Sequence, residues 1–302
     1  MKNIIIVLLI FLTSTGSSCL KNAFAKRELK TTSDNILYSI VCLFAAAIVL
    51  AVSGGMQPVS SETLLLSIVF GVLVATEQIV GNEAYRHGSM SLTNLMADGG
   101  LILTIAFACI VWKETLTPLR AVGVLLMLLA MVLIVDPKAA AGAKSSGKQT
   151  ARRVNWIWIL LSLLLFVLCG TLGIIQKMLA VSGHSDEISG FLFYNFIIAT
   201  AVTVLYLLYN VKVRHEPVTV KFFGNRGKLF LSSVFSGLCN SLLHITTMLA
   251  VGALPATVAF PIIDGGKLFL VTVMDVFLFK QKLTRTQIVG LVLAIAAIVI
   301  LA

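Results

Sequence analysis

Two Asp-Gly-Gly triplets stand inside apolar stretches, "NLMADGGLIL" at 94–103 and "PIIDGGKLFL" at 261–270, 166 residues apart. A carboxylate in such surroundings is there for chemistry rather than packing. At mid-depth in a bilayer an ionised Asp costs about 2.5–3.5 kcal/mol, so it faces a bundle interior or a water-filled cavity. There it can hold a proton, a cation or an amine. Gly99, Gly100, Gly265 and Gly266 loosen the helix behind each carboxylate, and Pro261 removes one further helical N–H. Gly- or Pro-interrupted helices at matching places in two halves mark a substrate site. The sequence therefore predicts a helix break at each triplet, with Asp98 and Asp264 as walls of one central cavity.

Other polar residues lie close by in sequence. Asn94 precedes Asp98 by one turn. Lys267 follows Asp264 by one turn and is its local i,i+3 partner, whereas Leu101 holds that place after Asp98. Glu77 and Gln78 lie deep in an earlier apolar stretch, and Asn240 and His244 lie in its repeat counterpart. Glu77 suits proton carrying, and His244 is the residue type that titrates near neutral pH. The plainer readings are that Gly-Gly allows close helix packing and that a single intramembrane histidine is a hydrogen-bonded packing residue. Tyr194 and Asn195 are weaker candidates, and Asp275 reads as interfacial.

No catalytic pattern accompanies these residues. HExxH, a Walker A loop, GxSxG and a Cys/His cluster with metal spacing are all missing from the sequence. The sequence thus predicts no enzyme, no cofactor and no metal, so energy comes from a gradient or from the solute itself. A membrane-embedded enzyme or lipid-modifying factor would need a catalytic cluster at a membrane face. A scaffold or sensor would have no use for paired mid-membrane carboxylates.

The elements that must position these residues follow from composition. The 302 residues are 58% hydrophobic and only 12% charged, against about 25% charged in soluble domains. Apolar runs of roughly 18 residues or more read as membrane helices. The ~10-residue alternating segments of a β-barrel do not occur. The reading is an all-α polytopic membrane protein of about ten spans, near 3–24, 35–53, 63–82, 90–112, 119–136, 155–180, 188–209, 229–250, 255–279 and 286–302. At 1.5 Å per residue, Asp98 and Asp264 lie roughly 12–14 Å below a surface. That is near the middle of a ~30 Å core. The net charge of +10 sits mostly in loops, where it meets lipid headgroups and sets orientation rather than binding nucleic acid. Cys19, Cys42, Cys109, Cys169 and Cys239 fall within or beside apolar segments and read as small packing residues. The opening "MKNIIIVLLIFLTSTGSSC" has signal-peptide features. Gly16, however, stands where a lipobox carries Leu, and "NIIIVLLI" has a later counterpart in "NWIWILLS". It reads as a retained first helix.

An internal repeat organises the chain. "LLLSIVFGVL" (64–73) aligns with "LFLSSVFSGL" (229–238), and "KETLTPLRAVGVLLMLLA" (113–130) with "KQKLTRTQIVGLVLAIAA" (280–297). The predicted halves are 1–137 and 154–302, joined by the basic linker 138–153. With five helices each, an odd number, they have inverted topology, an architecture with its substrate site near the midplane.

Ten helices as two five-helix repeats, each ending Lys-Glu/Gln-x-Leu-Thr and then an apolar helix with Val-Gly, resemble the drug/metabolite transporter superfamily, EamA type. The resemblance covers essentially the whole chain. Glu114 matches that family's acidic position in the short turn, while the second half has Gln281 there. Pro261 matches a common proline, with Leu95 in its place in the first half. Lys21 and Lys177 fall at matching helix ends. The resemblance implies a multi-pass carrier of small organic solutes such as metabolites, amino acids or drugs. Its setting would be a cell membrane, the bacterial inner membrane foremost, with lipid and a coupling proton or cation as the other partners. Most of the 23 basic residues lie in odd-numbered loops, which places those loops in the cytoplasm and both termini outside. The resemblance implies both termini inside, and a reporter at Ala302 that works only in the cytoplasm tells the two apart.

Overall fold

A computed structural model describes residues 31–87, 90–135, 156–219, 227–279 and 284–301. The first expected span, the linker 138–153 and Gln281 lie outside the described residues, as do Lys21 and Cys19. Among the described residues every regular element is a helix. The α-helices, in chain order, are α1 (Thr32–Leu50), α2 (Ser61–His87), α3 (Met90–Asp98), α4 (Leu101–Val111), α5 (Pro118–Val135), α6 (Trp156–Val181), α7 (Ile188–Lys212), α8 (Lys228–Ala253), α9 (Ala256–Phe279) and α10 (Arg285–Leu301), with a π-helical turn at Ala51–Gly55 and a 3-10 turn at Ser185–Glu187.

Seven segments are long and apolar enough to cross a membrane, and they coincide with the second to eighth expected spans. One of them, Leu92–Val111, runs through both α3 and α4. The seven are 18 to 26 residues long, or about 27–39 Å at the α-helical rise. α9 is a 24-residue helix interrupted in polarity by Asp264 and Lys267, and α10 is a shorter apolar helix of 17 residues. Outward-facing side chains such as Leu65, Ile110, Leu125, Leu160, Leu205, Leu231 and Val299 are exposed. A soluble monomer rarely presents so much contiguous apolar surface. The fold is that of a polytopic α-helical membrane protein.

The described residues form two compact units, and each is built from two separate stretches of the chain. The first holds residues up to Ile79 and Ile175–Ala253, so it contains α1, most of α2, the end of α6, α7 and α8. The second holds Val80–Ile174 and Leu254 onward, so it contains α3, α4, α5, most of α6, α9 and α10.

In the first unit α1 packs on α7 and α8. Its start is fixed by a reciprocal cap: the Asp34 N–H donates to the Thr31 hydroxyl at 3.1 Å, and the Thr31 N–H donates to the Asp34 carboxylate at 3.2 Å. This is a capping box with Asp in the acidic place. The same carboxylate accepts from the Thr219 N–H at 2.8 Å and from its hydroxyl, tying the segment after α7 to α1. Deeper along α1, the buried Tyr38 hydroxyl lies 2.8 Å from that of Ser236 on α8. In the second unit the main pairing is α5 with α10. Small residues such as Ala130, Ala294 and Ala297 are fully buried there, as expected where helices approach closely in lipid.

Candidate functional site

The two Asp-Gly-Gly triplets lie in the second unit and adopt different conformations. At the first, the helix stops. α3 ends on Asp98 and α4 begins at Leu101. Across the gap the ladder tightens into i,i+3 bonds: Gly100 N–H to the Ala97 carbonyl at 3.0 Å, then Ile102 N–H to the Gly99 carbonyl at 3.0 Å. Here the backbone of α6 comes close. A Cβ on Gly100 would come within 2.6 Å of the Phe166 carbonyl and 2.7 Å of the Gly170 nitrogen. Only glycine allows that approach, and the Thr104 hydroxyl secures it by donating to the Gly170 carbonyl at 3.0 Å.

At the second triplet the expected break does not occur. α9 runs without interruption through Pro261, Asp264, Gly265 and Gly266. Gly265 lies directly against the Met127 side chain of α5, in space that a Cβ would fill. The flexible thioether there packs on an intact helix, whereas at the first triplet another backbone takes the room. Pro261 lies six residues in, so its missing N–H costs the helix one bond near its start.

The start of α9 is held by Glu114, from the turn after α4. Its carboxylate accepts from the Ala256 N–H at 2.9 Å and the Thr257 N–H at 3.1 Å. These are two of the orphan donors of a helix N-terminus, and the negative charge also complements the dipole there. An acidic residue that sequence places only in a short turn therefore anchors the helix that carries Asp264 and Lys267.

The charged set follows from these placements. Lys267 Nζ lies 3.3 Å from Asp98 Oδ1, with the lysine side chain 37% and the aspartate 15% exposed. Lys267 thus makes its ion pair across helices with Asp98, where the sequence offers Asp264 as the local partner. Asp264, half-buried, stands one turn before Lys267 on the same helix. Asn94 lies one turn before Asp98 on α3. The structure therefore brings Asp98, Asp264 and Lys267 into one set, with Asn94 beside it in sequence and unit.

Glu77, Asn240 and His244 belong to the first unit. Glu77 and Asn240 are half-buried on α2 and α8. His244 lies edge-on to Phe196 and Phe70, with ring centroids 5.4 and 6.4 Å away. Its Nδ1 is 3.2 Å from the amide nitrogen of the buried Gln176. With the amide donating, Nε2 is the ring's donor. Gln176 is a residue sequence reading missed, and nothing short of the α6–α8 contact marks it out. Lys177 beside it is buried and donates to the Val251 carbonyl in the last turn of α8 at 2.7 Å. Tyr194 packs edge-on against Phe193. Asn195 is fully buried and donates to the Phe191 carbonyl of its own helix at 3.3 Å, a packing arrangement.

No family model matches the sequence, and no curated protein matches it. Among solved structures, one described only as a crystal structure of a protein superposes with a TM-score of 0.71. The match covers 99% of this chain and 96% of the other at 14% identity. That degree of likeness speaks for the fold alone.

Proposed function

We propose that the chain is a secondary transporter of a small organic solute, working by alternating access and coupled to a proton or another cation. The observation that carries this reading is the Asp98–Lys267 ion pair with Asp264 one turn away, within a strongly apolar chain. Charged side chains at membrane depth mark ion and substrate pathways. A helix interrupted at its carboxylate, as at Asp98, is how transporters present a charged site away from either surface. The resemblance to EamA-type drug/metabolite transporters supports the same reading. It extends the seven observed spans to ten in two inverted repeats: the segment 3–24 supplies the first, and α9 and α10 the last two. The setting is a cell membrane, the bacterial inner membrane foremost.

The test is thermal unfolding of the purified protein against a panel of amines, amino acids, anionic metabolites and neutral solutes, at mildly acidic and mildly alkaline pH. A ligand at about 100 times its Kd stabilises the folded state by ~2.7 kcal/mol, which a melting shift reports. The expected result is a shift from one chemical class that depends on pH and disappears in Asp98→Asn. A panel without effect at either pH would overturn the small-solute reading.

A further inference from the structure

We propose that the end of the first unit where α7 finishes is a binding site for an anionic phospholipid, with the lipid phosphate on Lys212 and Arg214 and an acyl chain along Leu205 and Leu208. Such a site requires only that α7 spans a bilayer, whatever the chain carries.

Depth comes first. α7 has 25 residues, about 37 Å at the helical rise, against a hydrocarbon core of ~30 Å. Its end therefore reaches the headgroup layer. The exposed side chains along that end change in a fixed order: Leu205 and Leu208, then Tyr209, then Lys212, Arg214 and His215. Apolar, aromatic and basic groups in that order follow a lipid from acyl chain through interface to headgroup. The aromatic step is built to hold a cation. The Tyr206 and Tyr209 rings stack with centroids 6.3 Å apart and 22° between their planes, and Arg214 Cζ lies 6.0 Å from the Tyr209 centroid. A ring engages the face of a guanidinium, whereas the N–H edge is the fork that matches a phosphate.

A turn then sorts the charges at this end. The Val213 N–H donates to the Tyr209 carbonyl at 2.8 Å and the Glu216 N–H to the Asn210 carbonyl at 3.1 Å, with His215 between them at a left-handed φ of 53°. Residues before the reversal stay outside. Those after it return to α1: Glu216 accepts from the Thr32 N–H at 2.8 Å, and the fully buried Asp34 takes the N–H and hydroxyl of Thr219. The acids thus serve backbone donors inside, and the bases face out. Lys228, exposed at the start of α8, adds a base at the same end, since α8 meets the start of α1 through Ser232, Ser236 and Tyr38. The negative end of the α7 dipole also lies here, but it amounts to about half a charge against two full positive charges on Lys212 and Arg214. Only one kind of ligand meets both parts of this face, with a phosphate for the cations and an acyl chain for the leucines. A zwitterionic lipid brings its own ammonium to the same cations. For an anionic lipid, each basic residue near the membrane surface is worth about fivefold in affinity.

The experiment uses the full-length protein, delipidated in a neutral detergent and titrated separately with phosphatidylglycerol, phosphatidylcholine and inorganic phosphate. Native mass spectrometry counts the retained lipid, and the melting temperature reports its effect. Wild type is expected to retain phosphatidylglycerol in preference to phosphatidylcholine, to melt higher with it and to be unmoved by phosphate. K212Q/R214Q is expected to bind phosphatidylglycerol about 25-fold more weakly, two factors of five. K113Q/R120Q removes the same charge from the turn after α4 and the start of α5, and is expected to keep wild-type affinity. Y209L leaves both cations in place but removes the ring under Arg214, and is expected to lose about threefold. Should K212Q/R214Q fail to fold, Y209L decides, and unchanged affinity there overturns the site. Equal retention of the two lipids, an equal loss in K113Q/R120Q, or a melting shift with inorganic phosphate alone overturns it as well. None of these readouts needs a transported solute, so the transport reading stands or falls separately, on the melting panel.

Discussion

Glu187 lies in the short turn between α6 and α7, outside the spans, and shows what one carboxylate does where water reaches it. The Thr63 side chain is its strongest hydrogen-bond influence, and it also accepts from the Ser60 hydroxyl at 2.8 Å and the Ser60 N–H at 3.1 Å. These bonds favour the ionised form and hold its pKa below the usual glutamate value. A carboxylate with a depressed folded-state pKa contributes stability that is present above the unfolded value and is lost as pH falls through the folded one. Glu187→Gln is therefore expected to melt below wild type at neutral pH and to converge with it in acid. Parallel melting curves across that range would show that the turn does not depend on the charge. Inside the spans water is scarce and helix ends take over its role. Lys177 donates to a carbonyl in the last turn of α8. Its ammonium sits at the negative end of that helix, where the dipole favours it.

The same three letters produce two helical outcomes, so at the scale of the element the sequence triplet is only half of the cause. At Gly99–Gly100 the helix parts where a crossing backbone from α6 comes close. At Gly265–Gly266 a methionine side chain fills the space and the helix continues. Periodicity and apolar run length make the positions of α1 through α8 legible, and the polar residues inside them stand out against that background. The partner across the gap is not legible, because Phe166, Gly170 and Met127 lie in ordinary apolar surroundings far along the chain. Glu114 has the same character: its residue type marks it, but its contact is with nitrogens 142 and 143 residues later. Glu114→Ala leaves the Ala256 and Thr257 N–H groups without their acceptor. Loss of a helix cap costs about 0.5–2 kcal/mol, so a lowered melting temperature is expected, together with faster amide exchange at Ala256 and Thr257. Glu114→Gln keeps an acceptor oxygen but no charge and should fall between. If Glu114→Ala melts and exchanges like wild type, α9 is anchored by something other than this carboxylate.

At the scale of the whole chain, order in sequence and order in space part company. The repeat read from the sequence would divide the chain near 138–153, yet each compact unit takes residues from both sides of that line. The strongest helix pairings cross it as well: α5 with α10 in one unit, α1 with α7 and α8 in the other. The charged set obeys the same rule, since Asp98 belongs to the first half of the sequence and Lys267 to the second. Residues 1–137 or 154–302 taken alone thus keep their apolar periodicity, which suffices for insertion, but lack the helices against which their buried faces pack. In lipid that packing, rather than hydrophobicity, drives helices together. A half would also carry Asp98 without its cation, or Lys267 without its pair. Residues 1–137 and 154–302 expressed separately are therefore expected to insert but to be degraded or to aggregate on extraction. Co-expressed, with the linker cut, they should purify together as a folded complex with the melting behaviour of the intact chain. A first half that is monodisperse and melts cooperatively on its own would mean that the crossed pairings are a late addition to units already stable, and the unit of folding would be the repeat.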